Sequence, residues 1–71
     1  MPVFRTMRER VEYAYDELNV DIYYEGEDCF TIHNHTKDEY VERLTERELD
    51  KELARIWATI YSKKIVVGVS L

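Results

Sequence analysis

Val20-Asp21-Ile22-Tyr23-Tyr24-Glu25-Gly26-Glu27-Asp28-Cys29-Phe30-Thr31-Ile32-His33 is the stretch that decides the fold class. Val20, Ile22 and Tyr24 alternate with polar or amphipathic neighbours. Beyond Gly26-Glu27-Asp28, Phe30 and Ile32 share one face, and Cys29, Thr31 and His33 share the other. Strand side chains point alternately to opposite faces. Two such runs joined by a short loop holding one glycine read as a β-hairpin.

Upstream, Phe4, Met7, Val11, Ala14 and Leu18 are spaced by three, four, three and four residues. That spacing lines one face of a helix over residues 3–18. Asn19 follows as a stop, because Asn tolerates the left-handed conformation that ends helices.

Downstream, residues 37–62 read as helical. Thr36 with Glu39 and Thr45 with Glu48 both satisfy the capping-box pattern, in which Thr accepts from a free amide and Glu reaches back. Among the apolar positions Val41, Leu44, Leu49, Leu53, Ile56, Trp57 and Ile60, the step from 44 to 49 breaks phase. Either a short helix ends near Arg43 and another starts at Thr45, or one helix runs through with a shifted face. Cap and phase signals coincide at Thr45, which favours the break. Ile65-Val66-Val67-Gly68-Val69-Ser70-Leu71 is rich in β-branched residues and reads as a closing strand. A terminal strand must pair within the molecule or with a partner, since an open edge of this kind aggregates.

The expected architecture is therefore α+β in the order helix, β-hairpin, helix, strand (αββαβ). It has a three-stranded, mostly antiparallel sheet with two helices packed on one face, in a single domain over 1–71. Phe4, Val11, Leu18, Ile22, Phe30, Ile32, Leu53, Ile56, Trp57, Ile60, Val67 and Val69 are the expected core.

Size makes that core thin. Surface scaling at 8.6 kDa gives about 12,500 Å² unfolded and about 4,700 Å² folded. Self-association is one way to bury more. The single cysteine, Cys29, permits no internal disulfide and fits a reducing compartment. The first residues show no signal-peptide pattern, and the apolar run 65–71 is too short to span a bilayer. The cytoplasm is the expected location, and no membrane association is expected. Glutamine is absent, and glycine and proline total three. With so many charges, that leans towards a heat-adapted protein.

The net charge of −5 is unevenly spread. Residues 1–20 carry −1, residues 21–50 carry −7, and residues 51–71 carry +3. A nucleic-acid binder needs a basic footprint, so direct nucleic-acid binding is not expected. With only Gly26 and Gly68, no phosphate-binding glycine loop exists, and no cofactor is expected.

Cys29, His33 and His35 are the one set of soft ligands. On an extended strand all three share a face, but Cys29 and His33 are then roughly 13 Å apart, too far for one ion. His33 and His35 are close enough to share one. As a nucleophile Cys29 is disfavoured, because Glu25, Glu27 and Asp28 oppose its ionisation. The other carboxylates fall on polar faces or turns, where solvated charge is their ordinary role. Six tyrosines is an unusual count, and Tyr13 and Tyr23 fall off the core face. Tyrosine is enriched at protein interfaces.

These features point away from an enzyme. They suggest a small acidic interaction or regulatory module that self-associates through its C-terminal strand and meets a protein partner. Tyr13, Tyr23, Glu25, Glu27, Asp28, Asp38, Glu42 and Glu46 are the candidate contact residues. A nucleic-acid-mimicking inhibitor is an alternative, in which Glu25, Glu27, Asp28, Asp38, Glu42 and Glu46 form one exposed stripe that imitates phosphates. A small metal-binding protein using Cys29, His33 and His35 is another.

Overall fold

A computed structural model describes residues 2–69, with side chains as far as residue 62. The elements run α1 (Met7–Leu18), β1 (Val20–Gly26), β2 (Cys29–Asn34), β3 (Glu39–Leu44) and α2 (Glu46–Val69). Two helices and a three-stranded antiparallel sheet of order β1-β2-β3 make an α+β fold. The expected order αββαβ is thus corrected to αβββα.

α1 begins later than its apolar spacing suggests because Thr6 caps it. Thr6 is extended, and its hydroxyl accepts from Glu9 N–H at 3.2 Å. Such a cap satisfies one of the amides left free at a helix start. Asn19 ends the helix in the left-handed conformation (φ 57°) and donates its N–H to the Ala14 carbonyl. Phe4, outside the helix, packs its ring 5.2 Å from Tyr13.

The hairpin pairs as expected, with Asp21 opposite His33, Ile22 opposite Ile32 and Tyr24 opposite Phe30. The departure comes after it. Thr36 and Glu39 do not start a helix. Asn34 Oδ1 instead accepts from Thr36 N–H at 3.1 Å and Lys37 N–H at 3.4 Å, which folds the backbone into a turn. Asp38 completes it at φ 52°. Residues 39–44 then return along β2 as the third strand.

A bulge explains why this strand looks helical in sequence. Val41 pairs with Ile32 and Leu44 with Phe30, so three steps on β3 match two on β2. The extra residue sits where Arg43 adopts φ 59°. A bulge of this kind shifts the alternation by one. Val41 and Leu44 therefore reach the same face at a spacing of three, which on a helix would mean the same thing.

Thr45 is the true break. Its hydroxyl accepts from Glu48 N–H at 3.2 Å, while Glu48 Oε1 accepts from Thr45 N–H at 3.0 Å. This is the reciprocal capping box read at that position. Hydrogen bonds that the Thr45 backbone and side chain make to the Glu48 carboxyl hold it below its ordinary range. From there α2 runs to Val69, where a closing strand was expected. Strand preference is weak and context-dependent. The helix started by the Thr45 capping box propagates through these residues instead. Self-association through a C-terminal strand loses its structural basis in consequence. The expected burial of Val67 and Val69, and the strand's last residues Ser70 and Leu71, lie outside what the structure describes.

One core joins both helices to one sheet face. Ala14 and Leu18 from α1, Leu49, Leu53 and Ile56 from α2, and Val20, Phe30, Ile32 and Leu44 from the sheet are buried together. Met7, Tyr13, Ile22, Val41, Trp57 and Ile60 pack around it half-buried. Phe4 and Val11, expected in the core, are likewise half-buried. Arg10 pins the helices to each other. Its guanidinium donates to Glu46 Oε1 at 3.2 Å and lies 2.8 Å from Asp50 Oδ1, with only 11% of its side chain exposed. Asp28 at the hairpin tip accepts from Glu46 N–H at 2.7 Å, which ties the first turn of α2 to the sheet.

Candidate functional site

All buried helix residues meet the face formed by Val20, Phe30, Ile32 and Leu44, so the other face of the sheet has no helix over it among the described residues. Strand alternation places Asp21, Tyr23, Thr31, His33 and Tyr40 on that second face. Tyr23 is 44% exposed and Tyr40 61%. Thr31 is nonetheless buried and His33 half-buried.

Side-chain contacts on this face gather at its end nearest the β2–β3 turn. The hairpin register sets Asp21 directly across from His33. His35 lies past the end of β2, but its backbone N–H donates to the Asn19 carbonyl at 3.0 Å. That bond holds the residue beside β1, and its Nε2 comes 2.6 Å from Asp21 Oδ2. His33 Nε2 lies 2.9 Å from Asp38 Oδ1 across the turn. An ionised carboxylate only accepts, so each imidazole presents an Nε2–H in these pairs. The two imidazole rings are 4.1 Å apart, and Tyr40 stacks parallel on His33 at 4.1 Å. The Tyr23 hydroxyl donates to Asp21 Oδ2 at 3.4 Å. Partial burial, the Asp21 charge and that hydrogen bond push the Tyr23 phenol up. Asp21, His33 and His35 each offer one ligand atom, and these atoms lie within 4.8 Å of one another.

Cys29 is not part of this group. It stands four residues along β2 from His33, about 13 Å away. It borders a shallow depression at the other end of the face, with Glu25, Thr31, Glu42 and Arg43. The soft-ligand set read from the sequence is therefore split. The two histidines converge, the thiol does not, and Asp21 takes its place. Asp21 was overlooked as a ligand, yet the hairpin register alone sets it opposite His33. Tyr40 was placed on a helix, and no sequence signal put it beside His33 once β3 had been missed.

The candidate contact residues are scattered. Tyr23 lies on the uncovered face. Tyr13 is half-buried on α1 against Phe4, and burial together with a hydrogen bond to Tyr61 pushes its phenol up. Glu25 and Glu42 line the depression together with Arg43. Asp28 caps α2, and Glu46 accepts from Arg10. Glu27 is exposed at the hairpin tip. Asp38 sits at the opposite end of β2, separated from that tip by about 17 Å of strand. Glu25, Glu27, Asp28, Glu42 and Glu46 gather at the hairpin-tip end and Asp38 lies alone at the other, so the stripe expected of all six is broken at Asp38, and several of them already have basic or amide partners.

No described helix is long and apolar enough to cross a membrane. No protein-family model, curated protein or solved structure matches this chain.

Proposed function

We propose that the protein is a small, non-enzymatic recognition module that works through the uncovered face of its sheet, with a second copy of the chain as its partner. The carrying observation is the one-sided build of the molecule. Both helices bury against one sheet face, and the other presents Tyr23 and Tyr40. Tyrosine suits such a face because its ring buries well while its hydroxyl stays hydrogen-bonded.

The surface area supports a need for a partner. The accessible surface is 5350 Å², against about 4,700 Å² for a compact monomer of this mass. Less than three-fifths of the unfolded chain's surface is therefore removed, which is the marginal regime for a small domain. Imitation of a phosphate backbone is less well supported, because Asp38 stands apart from the other five acidic residues and Asp28 and Glu46 are already bonded.

Light scattering coupled to size exclusion tests the proposal. The expected mass is twice the 8.6 kDa of the chain. Tyr40→Arg, at an exposed position, should return it to the single-chain value with unchanged circular dichroism. A single-chain mass for the unaltered protein at every concentration would overturn self-association.

A further inference from the structure

We infer that Asp21, His33 and His35 form a binding site for one divalent transition-metal ion of the zinc class. This goes beyond the recognition role and does not depend on it.

The site is assembled by the fold and not by sequence proximity alone. Asp21 comes from β1, His33 from β2, and His35 from the segment held to Asn19 by its backbone. Their ligand atoms all lie within 4.8 Å of one another. Zinc bonds to nitrogen and oxygen of about 2.0–2.2 Å put neighbouring ligands of a tetrahedral shell about 3.3 Å apart. Small side-chain rotations close that difference with the backbone in place. Asp38 Oδ1, 2.9 Å from His33 Nε2, is an outer contact that orients the His33 ring, and the fourth place is left to water.

The donor set decides the class of ion. Two imidazoles and one carboxylate suit zinc, copper, nickel and cobalt. Calcium demands six or more oxygens, and magnesium an octahedral oxygen shell. Charge points the same way. Asp21 and Asp38 are two of the fifteen acidic groups behind the net charge of −5, and one divalent ion offsets them. The surroundings are those of a prepared site. The His33 side chain is 12% exposed and that of Asp21 27%. Tyr40 fixes the plane of the His33 ring, and Tyr23 holds an oxygen of Asp21. Such outer contacts orient ligands before the ion arrives.

The self-contained alternative is a pair of His–Asp hydrogen bonds that needs no ion. The test separates them. Tag-free protein, stripped with a chelator, is titrated with zinc against a chromophoric competitor. The expected result is one ion per chain. His35→Ala and Asp21→Asn should each weaken binding about 100-fold or more, and Asp38→Asn about 10-fold, in line with losses at outer-shell positions. Cys29→Ser should leave it unchanged. Because a ligand variant could fail to fold, the unaltered protein is also loaded with cobalt. Visible bands of a tetrahedral site without a thiolate charge-transfer band are expected. Absence of zinc binding by the unaltered protein would overturn the inference. So would binding that survives both ligand substitutions, or a cobalt–thiolate band that disappears in Cys29→Ser.

Discussion

Arg43 offers the sharpest test of the fold, because it carries a conformation that the rest of β3 does not. Its φ of 59° lies in the left-handed region, and its side chain is exposed, so packing does not confound a substitution. A residue with a Cβ pays about 1–2 kcal/mol for that conformation. Glycine avoids it but loses about 0.5–1 kcal/mol through the greater freedom of its unfolded chain. Arg43→Gly is therefore expected to lie between neutral and about 1 kcal/mol stabilising, less a few tenths for charge lost beside Glu25 and Glu42. Arg43→Val is expected to lose on the order of 1–2 kcal/mol, since a branched Cβ is poorly tolerated there. The gap between the two variants is then about 2 kcal/mol. With a slope near 1 kcal/mol/M for so small a domain, it appears as roughly 2 M in the urea midpoint. In a regular strand the order reverses, because valine outranks glycine by up to about 1 kcal/mol. A helix also places valine above glycine. A valine variant as stable as the glycine variant, or more so, would refute the bulge and with it the register that brings Leu44 to the core.

Leu53→Ala, at a position 1% exposed, is expected to cost about 3–5 kcal/mol. Total stability for a chain of this length is only about 4–11 kcal/mol, so thermal melting should show a large loss of the folded population at 37 °C. Asp28→Ala removes the acceptor for Glu46 N–H and is expected to cost about 1 kcal/mol in urea denaturation. The lowered Glu48 carboxyl gives a pH dependence of definite sign. Its contribution is complete above the ordinary glutamate range and fades as pH falls through the lowered folded value. Stability profiles of the unaltered protein and of Glu48→Gln should therefore converge towards acid pH. In a spectrophotometric titration the phenols of Tyr13 and Tyr23 should ionise above ordinary tyrosine, and Tyr23→Phe should remove one late-titrating group.

The hairpin was legible because its two runs keep a strict alternation and its turn holds the needed glycine. α1 was legible from one uninterrupted apolar stripe, and the start of α2 from the reciprocal pair Thr45 and Glu48. Leu18, Phe30, Ile32, Leu53 and Ile56 were read as core and are buried. β3 was hidden by its own bulge, which spaces Val41 and Leu44 as a helix would. A second decoy was the Thr36 and Glu39 pair, whose capping geometry is pre-empted by Asn34 bonding the next two amides. The end of α2 escapes a sequence reading because the preference of β-branched residues for strands is weak and context-dependent, and the helix capped at Thr45 runs on through them. The candidate site was half legible. His33 and His35 were singled out, but Cys29 was drawn in by shared alternation along one strand, whereas proximity came from the strand opposite. Asp21 needed only the pairing register of a hairpin already recognised.

The central claim is that this molecule acts through the sheet face opposite its helices. Amide and side-chain chemical shifts, followed by heteronuclear NMR from dilute to concentrated protein, test it most directly. Concentration-dependent shifts confined to Tyr23, Thr31, His33, Tyr40 and their strand neighbours are predicted. Shifts clustered instead on the outer surfaces of α1 and α2, or none at any concentration, would contradict it.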